Sequence, residues 1–390
     1  MPGPFHSPSS IGSIAPASRT FGMVGTFPPT ACGIATFSAA LSAGLIAEGH
    51  SVDVVRVSPQ EGLDDPLVLA SLTGPPGPWG TGIEVLDRTD VAIVQHEYGI
   101  YPGPDGDEIL AVVAQLQVPT VVVAHTVRQT PTSGQRRVLT ELCAVASAVV
   151  VMTRSGRDRL IDGYGVDPSK VHVIAHGAAT PPAATRPAGS RGRPRLLTWG
   201  LLGPGKGIEW AIDALLELGA MHPFPEYLVA GATHPKVKEH SGEEYRNMLI
   251  QRAWAAGVSP HVSFDDAYRD LPALTELITS ADLVVLPYDS DEQVTSGVLV
   301  DAVAAGRPVV STAFPHATEL LASGAGIVVP QRDPVALASA IRSVLSDPDL
   351  AADMAAEARR LAPGLSWGAV AGEYANLAEH LCTVGRTSTR

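Results

Sequence analysis

Short, continuously apolar runs rich in β-branched residues recur through the first half of the chain: FGMVGTF, SVDVVRVS, VAIVQHE, PTVVVAHT, AVVVMT and VHVIAHG. That is the pattern of strands buried on both faces. Between them, IATFSAALSAGLIAEG and RRVLTELCAVA place apolar positions at helical spacing. Strands and helices in alternation predict a parallel sheet covered on both sides. Residues 178–195, AATPPAATRPAGSRGRPR, interrupt the pattern with Pro, Gly, Ala and Arg and read as a linker. The pattern then restarts. RLLTWGLL, EYLVAGAT, DLVVLPY, RPVVSTAF and AGIVVP read as strands, and IEWAIDALLEL, EYRNMLIQRAWAAG and PVALASAIRSVLS as helices. The last helical pattern, WGAVAGEYANLAEHL, lies beyond the second sheet and is expected to pack back on the first domain. The predicted class is α/β, with two doubly wound, Rossmann-like units. The expected division is a tail over 1–19, a first domain over 20–180, a linker over 181–194, a second domain over 195–365 and a returning helix over 366–390.

Open α/β sheets bind ligands at the carboxyl ends of their strands, so the cleft between two such sheets is the place to look for chemistry. In QVTSGVLVD (293–301), Ser296 and Gly297 make a helix start with free N–H groups, suited to an anion such as phosphate. Asp301 lies four residues after Gly297 on the same helix face, beside whatever that helix start binds. A carboxylate repels phosphate, so a neutral group such as a ribose diol suits it. The same residues also fit an ordinary capped helix with an exposed Asp. In the loop GPGKG, from Gly203 to Gly207, Lys206 sits at a sheet's carboxyl edge, where it could neutralise a diphosphate or simply be a solvated turn residue. The spacing is not that of a phosphate loop, and no hydroxyl follows the Lys to hold magnesium. Gly33 opens a helix after a Pro-rich turn, without a G-x-G-x-x-G pattern. His96, Glu97 and Tyr98 (QHEYG) and His125 (VAHTV) end predicted strands, as functional groups or as structural histidines. HEYG is not H-E-x-x-H, so zinc is not inferred. Asp289 and Asp291 form a D-x-D pair that reads either as a metal site or as an acidic loop.

The totals narrow the partners. The chain has 390 residues and a formal net charge of -13, which argues against broad binding to nucleic acid or anionic lipid. Cys32, Cys143 and Cys382 lie far apart, with no metal-ligand spacing and no even disulfide framework, so a reducing, cytoplasmic location is expected. The opening MPGPFHSPSSIGSIAPAS lacks a basic start and an unbroken apolar core, and reads as a tail rather than a signal peptide. No apolar stretch approaches the roughly 20 residues of a membrane span.

Taken together, GLLGPGKGIEWAIDAL and PYDSDEQVTSGVLVDAVAAGRPVVSTAFPHATELL resemble the retaining glycosyltransferases of family 4, of the GT-B fold. The Pro-Pro-x-x-CGIATF and VAHTV segments match that family's amino-terminal half. The resemblance covers about residues 20–380 and looks closest to a bacterial subgroup with GATHP (231–235), GEEYR (242–246) and QVTSG (293–297). It implies an acceptor-side first domain and a nucleotide-sugar-binding second domain. The family's two donor-site acids map onto Gln293 and Asp301, with Gln293 on a sugar hydroxyl and Asp301 on ribose. The segment Thr295, Ser296, Gly297, Val298 and Leu299 would meet phosphate and sugar. Lys206, with Gly203 in its loop, matches the phosphate-binding Lys, His125 the His near the transferred sugar, and Gly33 the first loop. The family's Arg before the Lys loop is here Leu201, so Arg246 or a linker Arg is expected to replace it. The implied activity is retaining hexosyl transfer without an essential metal or cofactor. The donor is GDP-mannose, or alternatively UDP-glucose. The acceptor is an oligosaccharide or glycoside, contacted by His96, Glu97 and Tyr98. The competing classes are a nucleotide-sugar epimerase, a nucleotide-linked oxidoreductase and a non-catalytic sugar-binding protein.

Overall fold

The computed structural model describes residues 18–30, 32–57, 65–72, 79–180, 192–267, 269–290 and 292–388. The apolar runs of the first half become β1 (Thr20–Gly25), β2 (Ser51–Val57), β4 (Val91–His96), β5 (Thr120–Ala124), β6 (Ala148–Val151) and β7 (Val171–Val173). They are joined by β3 (Val68–Leu72) in a parallel sheet of order β3-β2-β1-β4-β5-β6-β7. Its helices are α1 (Gly33–Ala47), α2 (Gly80–Leu86), α3 (Ile109–Val113), α4 (Ser133–Val145) and α5 (Arg154–Asp158). The second sheet, also parallel, runs β10-β9-β8-β11-β12-β13. Its strands are β8 (Arg195–Trp199), β9 (Glu226–Ala230), β10 (Val262–Asp265), β11 (Leu283–Leu286), β12 (Val309–Thr312) and β13 (Gly326–Val329). The helices after β8 are α6 (Ile208–Glu217), α7 (Pro235–Ser241), α8 (Glu244–Ala255), α9 (Leu271–Thr279), α10 (Gly297–Ala304), α11 (Pro315–Leu320), α12 (Pro334–Ser346), α13 (Pro348–Leu361) and α14 (Trp367–Ser388).

The sequence pattern missed β3 and β10. Both lie at sheet edges and are partly exposed, so neither carries the unbroken apolar run of a central strand. β8 is shorter than its apolar run. The ladder stops at Trp199, and Leu202 makes only an isolated bridge to Thr233. The strand stops because Gly200 turns away at φ 111° against Gly231. A Cβ on Gly231 would lie 2.1 Å from the Gly200 carbonyl oxygen, which leaves room for glycine alone.

The strand order reverses between β1 and β4 in one sheet and between β8 and β11 in the other. These switch points open crevices at the carboxyl ends of the strands. α14 lies against α1, and Val370, Ala371 and Tyr374 join the core formed by Phe21, Met23, Leu41 and Leu45. Gly44 permits the approach, since a Cβ there would meet the Trp367 carbonyl oxygen at 2.8 Å. No described helix is long and apolar enough to cross a membrane. The expected tail lies outside the described residues up to 17, as does the linker from 181 to 191, with Arg186 and Arg191. Arg195 reaches Ser280 Oγ at 3.2 Å and Glu226 at 3.9 Å, which ties it to the second sheet.

Candidate functional site

α10 begins where the sequence places a cap. Ser296 has extended φ/ψ, and its Oγ accepts the Leu299 N–H at 3.3 Å. Its own N–H donates to His316 Nδ1 at 2.9 Å, and its carbonyl accepts from Val300 N at 3.2 Å. The N–H groups of Gly297 and Val298 have no acceptor among the described residues. Leu299 departs from expectation, because its N–H is already bound to the cap and it is fully buried. Two free donors at a positive dipole end remain to hold an anion. The Asp301 carboxylate, one turn along, has no hydrogen bond or ion pair among the described residues, and burial lifts its pKa from 3.8 to about 7. Gln293 Nε2 donates to the Thr295 carbonyl at 2.7 Å, which folds the loop before the cap.

The GPGKG loop clamps onto the segment after β11. Gly205 O accepts from Asp289 N at 3.2 Å. Gly207 sits at φ 62°, and a Cβ there would lie 1.9 Å from the Pro287 carbonyl oxygen. Lys206 Nζ consequently stands 4.3 Å from the centroid of the Tyr288 ring, with no carboxylate partner among the described residues. Gly200 packs against Val298, at 3.4 Å from a Cβ built on the glycine, which joins the Lys loop to the start of α10. At the other end of the loop, Gly203 contacts Val237. Asp289 is held by Trp210 Nε1 at 3.2 Å and Arg332 Nε at 3.3 Å, while Asp291 lies outside the described residues. No group of three or more potential metal ligands occurs among the described residues.

Arg246 is not a free cation. Its guanidinium donates to the Gly231 carbonyl and lies 3.4 Å from Glu243, which also accepts from Thr233 Oγ1 and pairs with Lys238 at 3.1 Å. GATHP and GEEYR thus brace each other, and through Gly231 they brace the turn at Gly200. Arg246, expected to replace the Arg absent at Leu201, is thus engaged with Gly231 and Glu243 inside the second domain.

On the facing wall, His125 Nε2 donates to Gln95 Oε1 at 2.7 Å, and its ring meets Phe37 of α1 edge-on at 4.9 Å. Burial, with neighbouring histidines adding to it, pushes its pKa down to about 3, so the ring is neutral. Gly33 has nothing within 4 Å of where a side chain would begin. Glu97 accepts from Thr126 Oγ1 and from Tyr98 N, which joins the β4 and β5 loops. His96 and Tyr98, expected at the acceptor, are both buried. They are 1% and 8% exposed, and Tyr98 belongs to the core that includes Val94 and Val127.

The sequence reading overlooked two histidines. His176, after β7, lies against Gly297, with its Nε2 3.0 Å from a Cβ built on that glycine, and it contacts Phe37 and Trp367. His316 accepts the Ser296 N–H. Burial lowers them to about 4 and about 3, respectively. Their only signal in the sequence was position at a strand end.

Carboxylates of the second domain bind the first. Glu292 accepts from Gln129 N at 2.8 Å and from Thr130 Oγ1 at 3.0 Å, and Glu319 accepts from Arg154 N at 2.9 Å and Ser155 N at 3.2 Å. Lys236 Nζ reaches the Gly99 carbonyl at 3.4 Å. A cavity of about 490 Å³ lies between the domains, lined by Arg154, Ser155 and Arg159 on one side and Pro315, Thr318 and Glu319 on the other.

Comparison with known proteins finds glycosyltransferases along most of the chain. The model described as "Glycosyltransferase Family 4" matches residues 31–180, and that described as "Glycosyl transferases group 1" matches 186–361. The D-inositol 3-phosphate glycosyltransferase of Kineococcus radiotolerans is 29% identical over 258 residues, 59% of this chain and 56% of that protein. The glycogen synthase of Mycobacterium tuberculosis H37Rv is 32% identical over 231 residues, 58% of this chain and 52% of that protein. The chain thus spans little more than half the length of these relatives. Anabaena HepE, solved in complex with UDP-glucose, has the same fold at a TM-score of 0.74 and 17% identity, covering 93% of this chain and 100% of that one.

Proposed function

The chain belongs to glycosyltransferase family 4, and on that premise we propose that it moves a hexose from a nucleoside-diphosphate sugar to a saccharide or glycoside acceptor, with retention of anomeric configuration. The observation that carries this reading is the convergence of unpartnered groups on one helix start. The N–H groups of Gly297 and Val298 and the ammonium of Lys206 suit a diphosphate, and the open carboxylate of Asp301 suits a ribose diol.

In this reading the bond between the anomeric carbon and the diphosphate oxygen breaks as the acceptor oxygen bonds to the same face of that carbon. Lys206 and the helix start stabilise the charge that develops on the departing diphosphate. The departing phosphate oxygen takes the acceptor's proton, so no carboxylate pair is required. Gln293, an amide, is suited to a sugar hydroxyl rather than to a nucleophile's role. We read the reaction as independent of a bound metal, because Asp289 of the acidic loop is already held by Arg332 and Trp210.

The resemblance of GATHP, GEEYR and QVTSG supports GDP-mannose as donor. UDP-glucose is the second reading, since a protein of this fold was solved with it. A thermal-shift panel of GDP, UDP, ADP, GDP-mannose, UDP-glucose and NAD, with and without magnesium, tests both. Ligand at about 100 times its dissociation constant adds roughly 2.7 kcal/mol. A selective, magnesium-independent shift with GDP and GDP-mannose is expected, and uridine selectivity would replace mannose with glucose. Response to NAD alone, or to none of these, overturns the transferase reading. Proton NMR of the product's anomeric centre then reads retention.

A further inference from the structure

Gln293 belongs to the second domain by sequence, yet both of its neighbours are anchored in the first. On one side, the Glu292 carboxylate accepts from Gln129 N at 2.8 Å, Thr130 N at 3.3 Å and Thr130 Oγ1 at 3.0 Å, and lies 3.5 Å from Arg159 Nη1. On the other side, Val294 is 2% exposed and packs in the first domain's core with Val127 and Val151. The receiving segment is itself fixed. Arg159 Nη1 donates to the Val127 carbonyl at 3.0 Å, and Tyr164 Oη donates to the Arg128 carbonyl at 2.9 Å. That segment continues directly from His125 and Thr126 on the wall of the cleft.

We propose that Glu292 is a positioning residue that makes the sugar contact of Gln293 conditional on domain closure. This rests on the transferase reading above. With the domains apart, Glu292 and Val294 lose their anchors, and Gln293 keeps only its local bond to the Thr295 carbonyl. The groups assigned to the nucleotide, Lys206, the start of α10 and Asp301, all belong to the second domain, although His176 of the first touches Gly297. The donor therefore binds first through its nucleotide, and the sugar is gripped only once the first domain has arrived and excluded water. Burial pushes the Glu292 carboxyl up, but the N–H and O–H groups of Gln129 and Thr130 and the Arg159 cation outweigh it, so the group stays ionised near neutral pH.

The test uses the full chain and the nucleotide sugar that is active in the panel. Glu292→Gln keeps the shape and removes the charge. It should bind the free nucleoside diphosphate within about twofold of wild type, while transfer kcat falls about tenfold or more. The fraction of donor hydrolysed instead of transferred should rise. Thr130→Val removes one anchor and should move the same readouts less. Glu319→Gln loosens closure through a separate interdomain contact, to Arg154 and Ser155, and leaves the anchors of the Gln293 loop intact, so it should raise the hydrolysed fraction and lower kcat less than Glu292→Gln does. Melting temperatures within a few degrees of wild type establish that the variants fold. Unchanged kcat and hydrolysis in Glu292→Gln, or an equal effect in Glu319→Gln, overturns the inference while leaving the transferase reading intact. If the wild-type chain neither binds nor turns over any nucleotide sugar, that reading fails and this inference fails with it.

Discussion

Burial without a charge partner lifts Asp301 to about 7 from its ordinary 3.8, and this has consequences for both stability and binding. Between those values the folded protein holds a proton that the unfolded chain has released. The group's contribution to stability is therefore fully present below about pH 4 and is lost as pH rises through about 7. Asp301→Asn removes that dependence. Urea titrations should find the variant more stable than wild type at pH 8, by up to about 4 kcal/mol, with the gap closing towards pH 4. Donor binding has the opposite slope, because a diol donates to the ionised carboxylate. Affinity for the nucleotide sugar should fall about tenfold per unit below pH 7 in wild type and stay flat in the variant, as calorimetry across pH 5.5–8.5 would read. Constant wild-type affinity over that range would remove Asp301 from the site. The spacing of Gln293 and Asp301 was legible because both lie in one short segment. His316 was not, since its bond to Ser296 joins residues 20 apart, nor was Glu292, whose partner Gln129 is 163 residues away.

At the scale of elements, α10 is short, and its start depends on a single side chain. Ser296→Ala removes the acceptor for Leu299 N and should cost about 1 kcal/mol, seen as a melting temperature lower by roughly 2–4 °C. It also frees a third N–H at the anion site, so nucleoside diphosphate affinity should fall less than stability does. An unchanged melting temperature would mean that His316, bonded to the Ser296 N–H, fixes the helix start without the hydroxyl. In the GEEYR segment, Arg246 lies beside Glu243 and donates to the Gly231 carbonyl, a pairing that no local pattern announced. Local patterning gave the central strands and long helices because each buries a continuous or periodic apolar set. The edge strands β3 and β10 bury less and left no such signal.

For the whole molecule, α14 fastens the end of the chain to the first domain. Tyr374 is fully buried at this contact, and its hydroxyl has no partner among the described residues. Tyr374→Ala should destabilise by about 3 kcal/mol or more through the cavity it leaves. Tyr374→Phe should leave stability unchanged or raise it, because an unsatisfied buried hydroxyl is a cost. Chemical denaturation of the two variants separates packing from hydrogen bonding, and a large loss in the Phe variant would show that the hydroxyl is bonded after all. By itself, the sequence determined two parallel α/β units, a capped helix start and a Lys loop, because these follow from periodicity and turn chemistry within short windows. It also carried the resemblance to family 4. Only the tertiary structure decided which groups are free. Arg246, Asp289 and the Leu299 N–H are occupied, Lys206, Asp301 and two helix N–H groups have no partner among the described residues, and His96 and Tyr98 are buried in the core. The physical reason is that a polar group's availability depends on what lies within about 3 Å of it. Here those neighbours come from distant parts of the chain.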